Sequence, residues 1–206
     1  LHFLGVGQSG AFGAIVASAS ERIATATLVG ASPSIAHALE RRRSLQPVLD
    51  GPDGLVATYG VHAWVMAEVM RMFLAPLSHH SAVQAFALPG FDRPDILWTH
   101  ALSDPEATHL DAERQARASG ALPLLSSHPR SLPGAASVTY PQDGSGVVVF
   151  DVGDGFPAPG PVPPSVEDDP RARLLQSSEH TELLHTFWRT GQIVDVCEGG
   201  ACVLMD

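Results

Sequence analysis

The stretch LHFLGVGQSGAFGAIVASAS, residues 1–20, contains the clearest structural signal in this chain. Leu1–Val6 is a short continuous apolar run, which predicts a buried strand. Ser9–Ser20 is rich in Ala, Gly, Ile and Val and predicts a helix that can pack closely on all sides. Because Thr25–Gly30 is a second β-rich run, we expect a strand–helix–strand unit. Gln8 then lies at the turn, where several enzyme families place a nucleophile or bind phosphate.

Composition narrows the class of protein. The chain has 206 residues, of which 45% are hydrophobic and 17% charged, as expected for a single globular domain over residues 1–206. A net charge of −10 argues against a nucleic-acid partner, because phosphate binding needs clustered Lys and Arg. The one basic run, Arg41-Arg42-Arg43, is interpreted as a solvated helix end. The sequence contains no lysine, which excludes a pyridoxal Schiff base and a P-loop lysine.

Strand-like and helix-like segments alternate after the opening unit, and this alternation predicts a layered α/β domain. A chain that begins with a buried strand is unusual, and we expect further elements of the fold to precede Leu1. Helices are predicted at Pro33–Arg43, within Leu55–Ala75 after a strand-like start, at Leu110–Ser119 and at Glu179–Arg189. Strands are predicted at Ile96–Trp98, Leu122–Ser126 and Val147–Val152. The chain is predicted to close with a hairpin of Gln192–Val196 and Ala201–Met205 around a Gly199-Gly200 turn.

Two enzyme motifs can be compared with the glycine-rich turn. Gly5-Val6-Gly7-Gln8-Ser9-Gly10 fits the dinucleotide fingerprint, which also needs an acidic residue near the end of the second strand. That strand ends in Val29-Gly30-Ala31-Ser32, without a carboxylate, so a Rossmann-like nucleotide-dependent enzyme is kept only as an alternative. The hydrolase motif G-x-S-x-G also fails, because Ala11 stands where its last glycine belongs.

A longer stretch, GQSGAFGAIVASASERIATATLVGAS at residues 7–32, resembles the nucleophile segment of the β-ketoacyl synthases, with Gln8 in the place of the cysteine. The resemblance implies a thiolase-like layered α/β/α fold, of which this chain would be only the C-terminal portion. Further segments that resemble the family follow in the same order: Asp53-Gly54-Leu55-Val56, Asp95–His100, Asp111–Ala116, Leu122–Ser127, Pro161–Val166 and Glu198-Gly199-Gly200.

The resemblance implies a site whose catalytic set is not intact. Gln8 cannot be acylated, because an amide is neutral and barely nucleophilic. Only His100 matches a catalytic position, that of the first active-site histidine. The implied tunnel or pocket residues are Gln8, Ser9, His100, His128, Gly199 and Gly200.

Glutamine at the nucleophile position is similar to the chain length factors of the family. The implied function is that of a nucleophile-less, non-catalytic subunit that pairs with an active β-ketoacyl synthase in polyketide or fatty-acyl chain assembly. The implied partners are that ketosynthase, a chain supplying the N-terminal half of the fold, and an acyl carrier protein. No cofactor, nucleic acid or membrane is expected, and a non-catalytic module that binds a small molecule is a further alternative.

Metal and acid–base sites are weakly indicated elsewhere. His180 and His185 are five residues apart, which puts them about 140° apart on a helix, so they would not share a metal. Asp95, Asp104, Glu106 and Asp111 include candidates for an acid pair, which spacing alone does not resolve.

The two cysteines, Cys197 and Cys202, do not form a disulfide framework and are expected to be reduced in a cytoplasmic protein. The apolar start lacks a basic region before it, unlike a signal peptide, and no apolar run reaches membrane-spanning length.

Overall fold

The structure, a computed structural model, describes most of the chain in separate ranges. These are residues 1–32, 47–48, 51–60, 62, 65, 69, 72, 94–107, 110, 113, 116–117, 123–125, 127, 133–153, 169–198 and 202–204. The predicted helix at Pro33–Arg43 lies outside them.

The opening strand–helix–strand unit is confirmed, but the prediction that its first strand is buried is wrong: among its residues only Gly5 is buried, because in the described residues the strand lies at the edge of the sheet. Strand β1 is His2–Val6, helix α1 is Gln8–Ala19 and strand β2 is Thr25–Val29. β1 and β2 pair in parallel, with Leu4 opposite Thr27. The two faces of α1 are both apolar: Ala14 and Ala17 are buried against the sheet, whereas Phe12, Ile15 and Val16 are exposed.

The central sheet is parallel throughout the described residues. The strands after β2 are β3 (Asp95–Ala101), β4 (Leu124–Leu125), β5 (Ser137–Val138), β6 (Gln142–Asp143), β7 (Gly146–Asp151), β8 (Gln192–Ile193) and β9 (Cys202–Val203). β3 pairs with β2 on one side and with β7 on the other. The strand order is β1-β2-β3-β7-β4-β5, and β9 also pairs in parallel with the end of β7. β6 and β8 form a separate antiparallel ribbon.

Three further helices are described: α2 (Leu55–Tyr59), α3 (Pro170–Gln176) and α4 (Ser178–Thr190). The helix predicted at Glu179–Arg189 is therefore confirmed, while the strand-like start predicted at Leu55 is wrong, because α2 begins there. α4 begins where the Ser177 hydroxyl accepts a hydrogen bond from the His180 N–H, and it ends at Gly191, which adopts φ 73°.

The predicted closing hairpin is wrong. Gln192–Ile193 pairs with Gln142–Asp143, and Cys202–Val203 pairs with the end of β7. Ile193 and Cys202 are both buried in the same apolar cluster, so each short strand is held by burial against a distant element. The predicted Gly199-Gly200 turn lies outside the described residues.

Apolar side chains on both faces of the sheet produce a layered α/β arrangement. On one face, Leu28 and Trp98 pack with the buried alanines of α1. On the other, Leu97, Phe150 and Phe187 pack together with the buried leucines of α3 and α4. The chain is thus an α/β protein with a mostly parallel central sheet. Within the described residues, no helix is long and apolar enough to cross a membrane.

Polar side chains also join α4 to the sheet. The Trp188 Nε1–H donates to Thr27 Oγ1 at 3.0 Å, and His180 Nε2 lies 3.1 Å from Thr99 Oγ1. His180 is buried with its ring edge-on to Phe150. Burial lowers its pKa from 6.5 to about 4, because the charged imidazolium is poorly solvated there.

We expect this histidine to make the fold sensitive to acid. Its folded-state pKa lies below the unfolded value, so the unfolded state binds the proton first, and stability is lost as the pH falls from about 6.5 towards 4. The loss should approach ~3 kcal/mol. His180→Gln should reduce it, as measured by urea unfolding at pH 7 and pH 4.5. The exposed His185→Gln should keep the wild-type pH dependence, and an equal effect of both variants would contradict the assignment.

Candidate functional site

Three strand ends meet at one edge of the sheet. Gly7 follows β1, Gly30 follows β2 and Asp104 lies shortly after β3. Hydrogen bonds between neighbouring ends hold them together: the Gly7 N–H donates to the Val29 carbonyl and the Gly30 N–H to the Thr99 carbonyl, both at 2.8 Å. The carboxyl edge of a parallel sheet is where α/β proteins usually bind ligands, so this edge is the candidate site.

The turn from β1 into α1 is made by Gly7. Its backbone has φ 60° and ψ −123°, a conformation that is strained for any residue with a side chain. The Ser9 hydroxyl fixes this turn, because it donates to the Val6 carbonyl at 2.7 Å and accepts from the Val6 N–H at 3.1 Å. The residue at the centre of the turn is therefore Gly7, and Gln8 is the first residue of the helix.

Asp104 is the acid of this edge. Its side chain is 1% exposed. Oδ1 accepts from the backbone N–H groups of Glu106 and Ala107 at 2.8 and 3.0 Å. Arg171 completes its surroundings: Nε donates to Oδ2 at 2.8 Å and Nη2 to Oδ1 at 2.9 Å, the two-pronged geometry that suits guanidinium and carboxylate.

The start of α3 positions Arg171. Asp169 is the N-cap, and its Oδ1 accepts from the backbone N–H of Arg171 at 3.0 Å and of Ala172 at 3.3 Å. Pro170 is at the first helical position, where a missing N–H costs nothing. This capping places the Arg171 side chain in the first turn of α3, over the strand ends.

The Arg171 guanidinium lies directly above two glycines. A Cβ atom on Gly7 would be 2.7 Å from Arg171 Nη1, and one on Gly30 would be 2.6 Å from Arg171 Nε. Both separations are shorter than real Cβ contacts, so a side chain at either position would displace the arginine. The Arg171 side chain therefore occupies the space that a side chain at Gly7 would need.

Electrostatics bind the pair together. Burial raises the pKa of the Asp104 carboxyl above its ordinary value, while the Arg171 charge and the two backbone N–H groups act against this rise. Arg171 is the cation that allows a carboxylate at this depth. Two hydrogen bonds join the charged groups, and the pair has the character of a structural contact.

Of the pocket residues predicted from sequence, the structure describes three. Gln8 and Ser9 are exposed at the start of α1. His100 is fully buried inside β3, where its ring stacks on Trp98 at 6.2 Å. Gln8 and His100 therefore lie in different environments, one at the surface and one in the core. His128, Gly199 and Gly200 lie outside the described residues.

The four predicted acid candidates separate in the structure. Asp104 belongs to the site, whereas Asp95 begins β3 at the opposite end of the strand. Burial and the nearby Asp143 raise the pKa of Asp95. Glu106 contributes its backbone N–H to Asp104, and Asp111 lies outside the described residues.

Two further predictions concern metal ligands and thiols. In the ranges that the structure describes, no three His, Cys, Asp or Glu side chains are grouped so that they could hold a metal ion. His180 is buried and His185 is exposed. Cys197 and Cys202 form a disulfide with a Cα–Cα distance of 4.9 Å, so the prediction of reduced thiols is wrong in this structure. Their Cα atoms lie within the range a disulfide spans, which spacing in the sequence did not reveal.

Sequence reasoning missed Arg171. The Asp169-Pro170 pair is a local signal for a helix start and could have located α3. The pairing of Arg171 with Asp104 spans 67 residues and has no local signal.

Comparison with known proteins gave no match to a family model or to a curated sequence. Among solved structures, the chain is similar to an esterase domain from Rhodothermus marinus, with 14% identity and a TM-score of 0.38 over 73% of this chain and 48% of that one. It is also similar to Pyrococcus horikoshii acylaminoacyl peptidase, with 10% identity, a TM-score of 0.47, and coverage of 96% and 25%. A third is an α/β fold family hydrolase from Bacillus anthracis str. Sterne, with 10% identity, a TM-score of 0.34, and coverage of 70% and 60%.

These findings overturn the ketosynthase prediction. The similar structures named are an esterase, a peptidase and a hydrolase, so the thiolase-like fold, the chain-length-factor function and the link to polyketide or fatty-acid assembly are wrong. The Rossmann-like alternative is not supported either. The chain spans about half the length of the esterase domain and a quarter of the peptidase. All three TM-scores are below 0.5, so these proteins carry no inference about activity here.

Substitution of Gly7 tests whether Arg171 fills the space above the turn. Gly60 is a matched control: its φ of 57° and ψ of −138° resemble those of Gly7, and no atom of the described residues lies within 4 Å of an added Cβ. Gly60→Ala should cost about 1 to 3 kcal/mol of unfolding free energy from backbone strain. Gly7→Ala should cost a further ~1 to 3 kcal/mol for overpacking, measured by chemical denaturation. Equal losses in the two variants would show that the space is open.

Removal of the Arg171 charge tests the ion pair. Arg171→Met should lose about 3 to 5 kcal/mol at pH 7, because Asp104 would be left buried without its cation. A buried lone carboxyl titrates above its unfolded value, so the loss should shrink as the pH is lowered and Asp104 is protonated. The exposed Arg189→Met should cost at most ~1 kcal/mol. A loss in Arg171→Met as small as in Arg189→Met would contradict the contact.

Proposed function

We propose that this chain is an α/β-hydrolase-like domain that does not hydrolyse by the serine route. The observation that carries the proposal is the backbone of Gly7. In an α/β-hydrolase the nucleophile sits on a sharp, strained turn between a strand and a helix. Gly7 occupies such a turn between β1 and α1, and glycine has no side chain to act as nucleophile.

The frame of the motif supports this assignment. With Gly7 at the nucleophile position, Gly5 falls two residues before it and Ser9 falls where the second glycine of G-x-S-x-G belongs. Gly5 allows close packing, because a Cβ there would lie 2.7 Å from Gly10 Cα. Ser9 carries a hydroxyl, but that hydroxyl is hydrogen-bonded to the Val6 backbone and so holds the turn.

The other two catalytic positions are consistent with the same conclusion. Catalytic residues of this fold follow in the chain order nucleophile, acid, histidine. Asp104, after β3, fits the acid in this order, but it is bound to Arg171. Of the histidines that follow Asp104 in the chain, His109 and His128 lie outside the described residues, and none occurs between residues 129 and 179. The next one, His180, is bonded to Thr99 where α4 packs on the sheet. Residues 129–179 therefore contain no histidine that could act as a general base within hydrogen-bond distance of the turn.

The expected role of the domain is structural or binding. The Arg171–Asp104 ion pair fills the carboxyl edge of the sheet. An active enzyme of this fold would have an open pocket at that edge. That another chain covers β1 remains a prediction: in the described residues β1 pairs with β2 alone, and the outer face of α1 is apolar and exposed. The ketosynthase and carrier-protein partners belonged to the overturned family prediction.

Labelling with a fluorophosphonate probe tests the proposal. Wild type should give no covalent adduct and no hydrolysis of p-nitrophenyl acetate above the buffer rate, while an active serine esterase labels fully under the same conditions. Ser9→Ala is the matched variant and should behave as wild type. An adduct mapped to Ser9 by mass spectrometry, with turnover lost in Ser9→Ala, would overturn the proposal.

A further inference from the structure

We propose that the Cys197–Cys202 disulfide is a redox-sensitive clamp that holds the last described strand, β9, on the end of β7. The chain contains only these two cysteines, so the pairing within one chain is unambiguous. Oxidised, the clamp keeps β9 in the sheet; reduced, it lets β9 detach. The inference uses a different part of the fold from the proposed function and does not depend on it.

In the described part of the chain, few contacts besides the disulfide hold β9. It has two residues, which pair with Phe150 and Asp151, and the Leu204 N–H donates to the Asp151 carbonyl at 2.7 Å. Cys202 and Leu204 are buried, while Val203 is half-exposed. Two buried side chains and a few backbone bonds form a weak attachment, since a strand of this length is far shorter than a typical one.

The other end of the clamp is anchored. Cys197 follows β8, whose Ile193 is fully buried and paired with Gln142 in the antiparallel ribbon. The Cys197 N–H donates to Asp195 Oδ1 at 2.9 Å, which orders the segment just before the disulfide. Cys197 is partly exposed. The disulfide thus ties β9 to the segment that follows the fully buried Ile193.

Attachment of β9 affects the strand that supports the candidate site. Phe150 pairs with Cys202, and its carbonyl accepts the Leu102 N–H at 2.9 Å. Leu102 lies two residues before Asp104. The clamp therefore holds β9 beside the same residue of β7, Phe150, that accepts a hydrogen bond from the segment before Asp104.

The redox step is a thiol–disulfide exchange. Two cysteine thiols are oxidised as a low-molecular-weight disulfide, such as oxidised glutathione, is reduced. The first cysteine sulfur forms a mixed disulfide and releases one small thiol. The second cysteine sulfur then displaces the second small thiol and closes the Cys197–Cys202 bond, with both protons ending on the released thiols. A dithiol reductant reverses the reaction.

Hydrogen exchange on the full chain tests the clamp. In protein oxidised with glutathione disulfide, the Leu204 amide should be protected. Dithiothreitol should raise its exchange rate by on the order of 40-fold, the effect of opening a loop of this length, while α4 amides stay unchanged. Cys197→Ser keeps the buried Cys202 thiol, and it should exchange like reduced wild type with or without reductant.

Two results would overturn the proposal. One is two alkylatable thiols in wild type after treatment with oxidised glutathione, read by intact mass. The other is an unchanged Leu204 exchange rate on reduction, which would show that β9 stays docked without the bond. Reduced wild type provides the same comparison if Cys197→Ser does not fold.

Discussion

The ion pair between Arg171 and Asp104 is the contact on which the carboxyl edge of the sheet depends. Asp104 is buried beside the strand ends, where the backbone N–H groups of Glu106 and Ala107 donate to it, and a carboxylate at that depth needs a cation. Arg171 reaches it from the first turn of α3. In doing so, the guanidinium occupies the space above Gly7 and Gly30. The same guanidinium thus neutralises the buried acid and fills the space above the two glycines.

This arrangement explains why glycine occurs at two strand ends. A side chain at Gly7 or Gly30 would collide with the arginine, and both glycines have positive φ. The turn that would present a nucleophile is kept in shape, helped by the Ser9 hydroxyl, but carries no reactive group. This chain therefore has the backbone geometry of a catalytic turn without a nucleophilic side chain on it.

Much of the architecture could be predicted from the sequence. The apolar runs at Leu1–Val6 and Thr25–Gly30 and the Ala-rich segment between them correspond to β1, β2 and α1. A continuous run of similar residues favours one type of secondary structure along its length, so these elements can be assigned from the sequence. The short strands were harder. β8 and β9 have two residues each and are placed by distant partners, so local turn signals around Gly199-Gly200 predicted the wrong pairing.

The site could be predicted only in part. The glycine-rich run at residues 5–10 fits several motifs at different frames, and a shift of one or two residues changes which side chain stands at the turn. Only the backbone conformation identifies Gly7. Asp104 was among four acids that spacing could not separate, and Arg171 has no signal near it that indicates its partner. Contacts between residues so far apart depend on the assembled fold.

A crystal structure at a resolution that separates the atoms of the guanidinium is the most direct measurement. It should show Arg171 Nε and Nη2 within hydrogen-bond distance of both Asp104 oxygens, with Nη1 over Gly7 and the glycine at positive φ. A structure in which Arg171 extends into solvent and an open pocket lies above Gly7 would contradict the account.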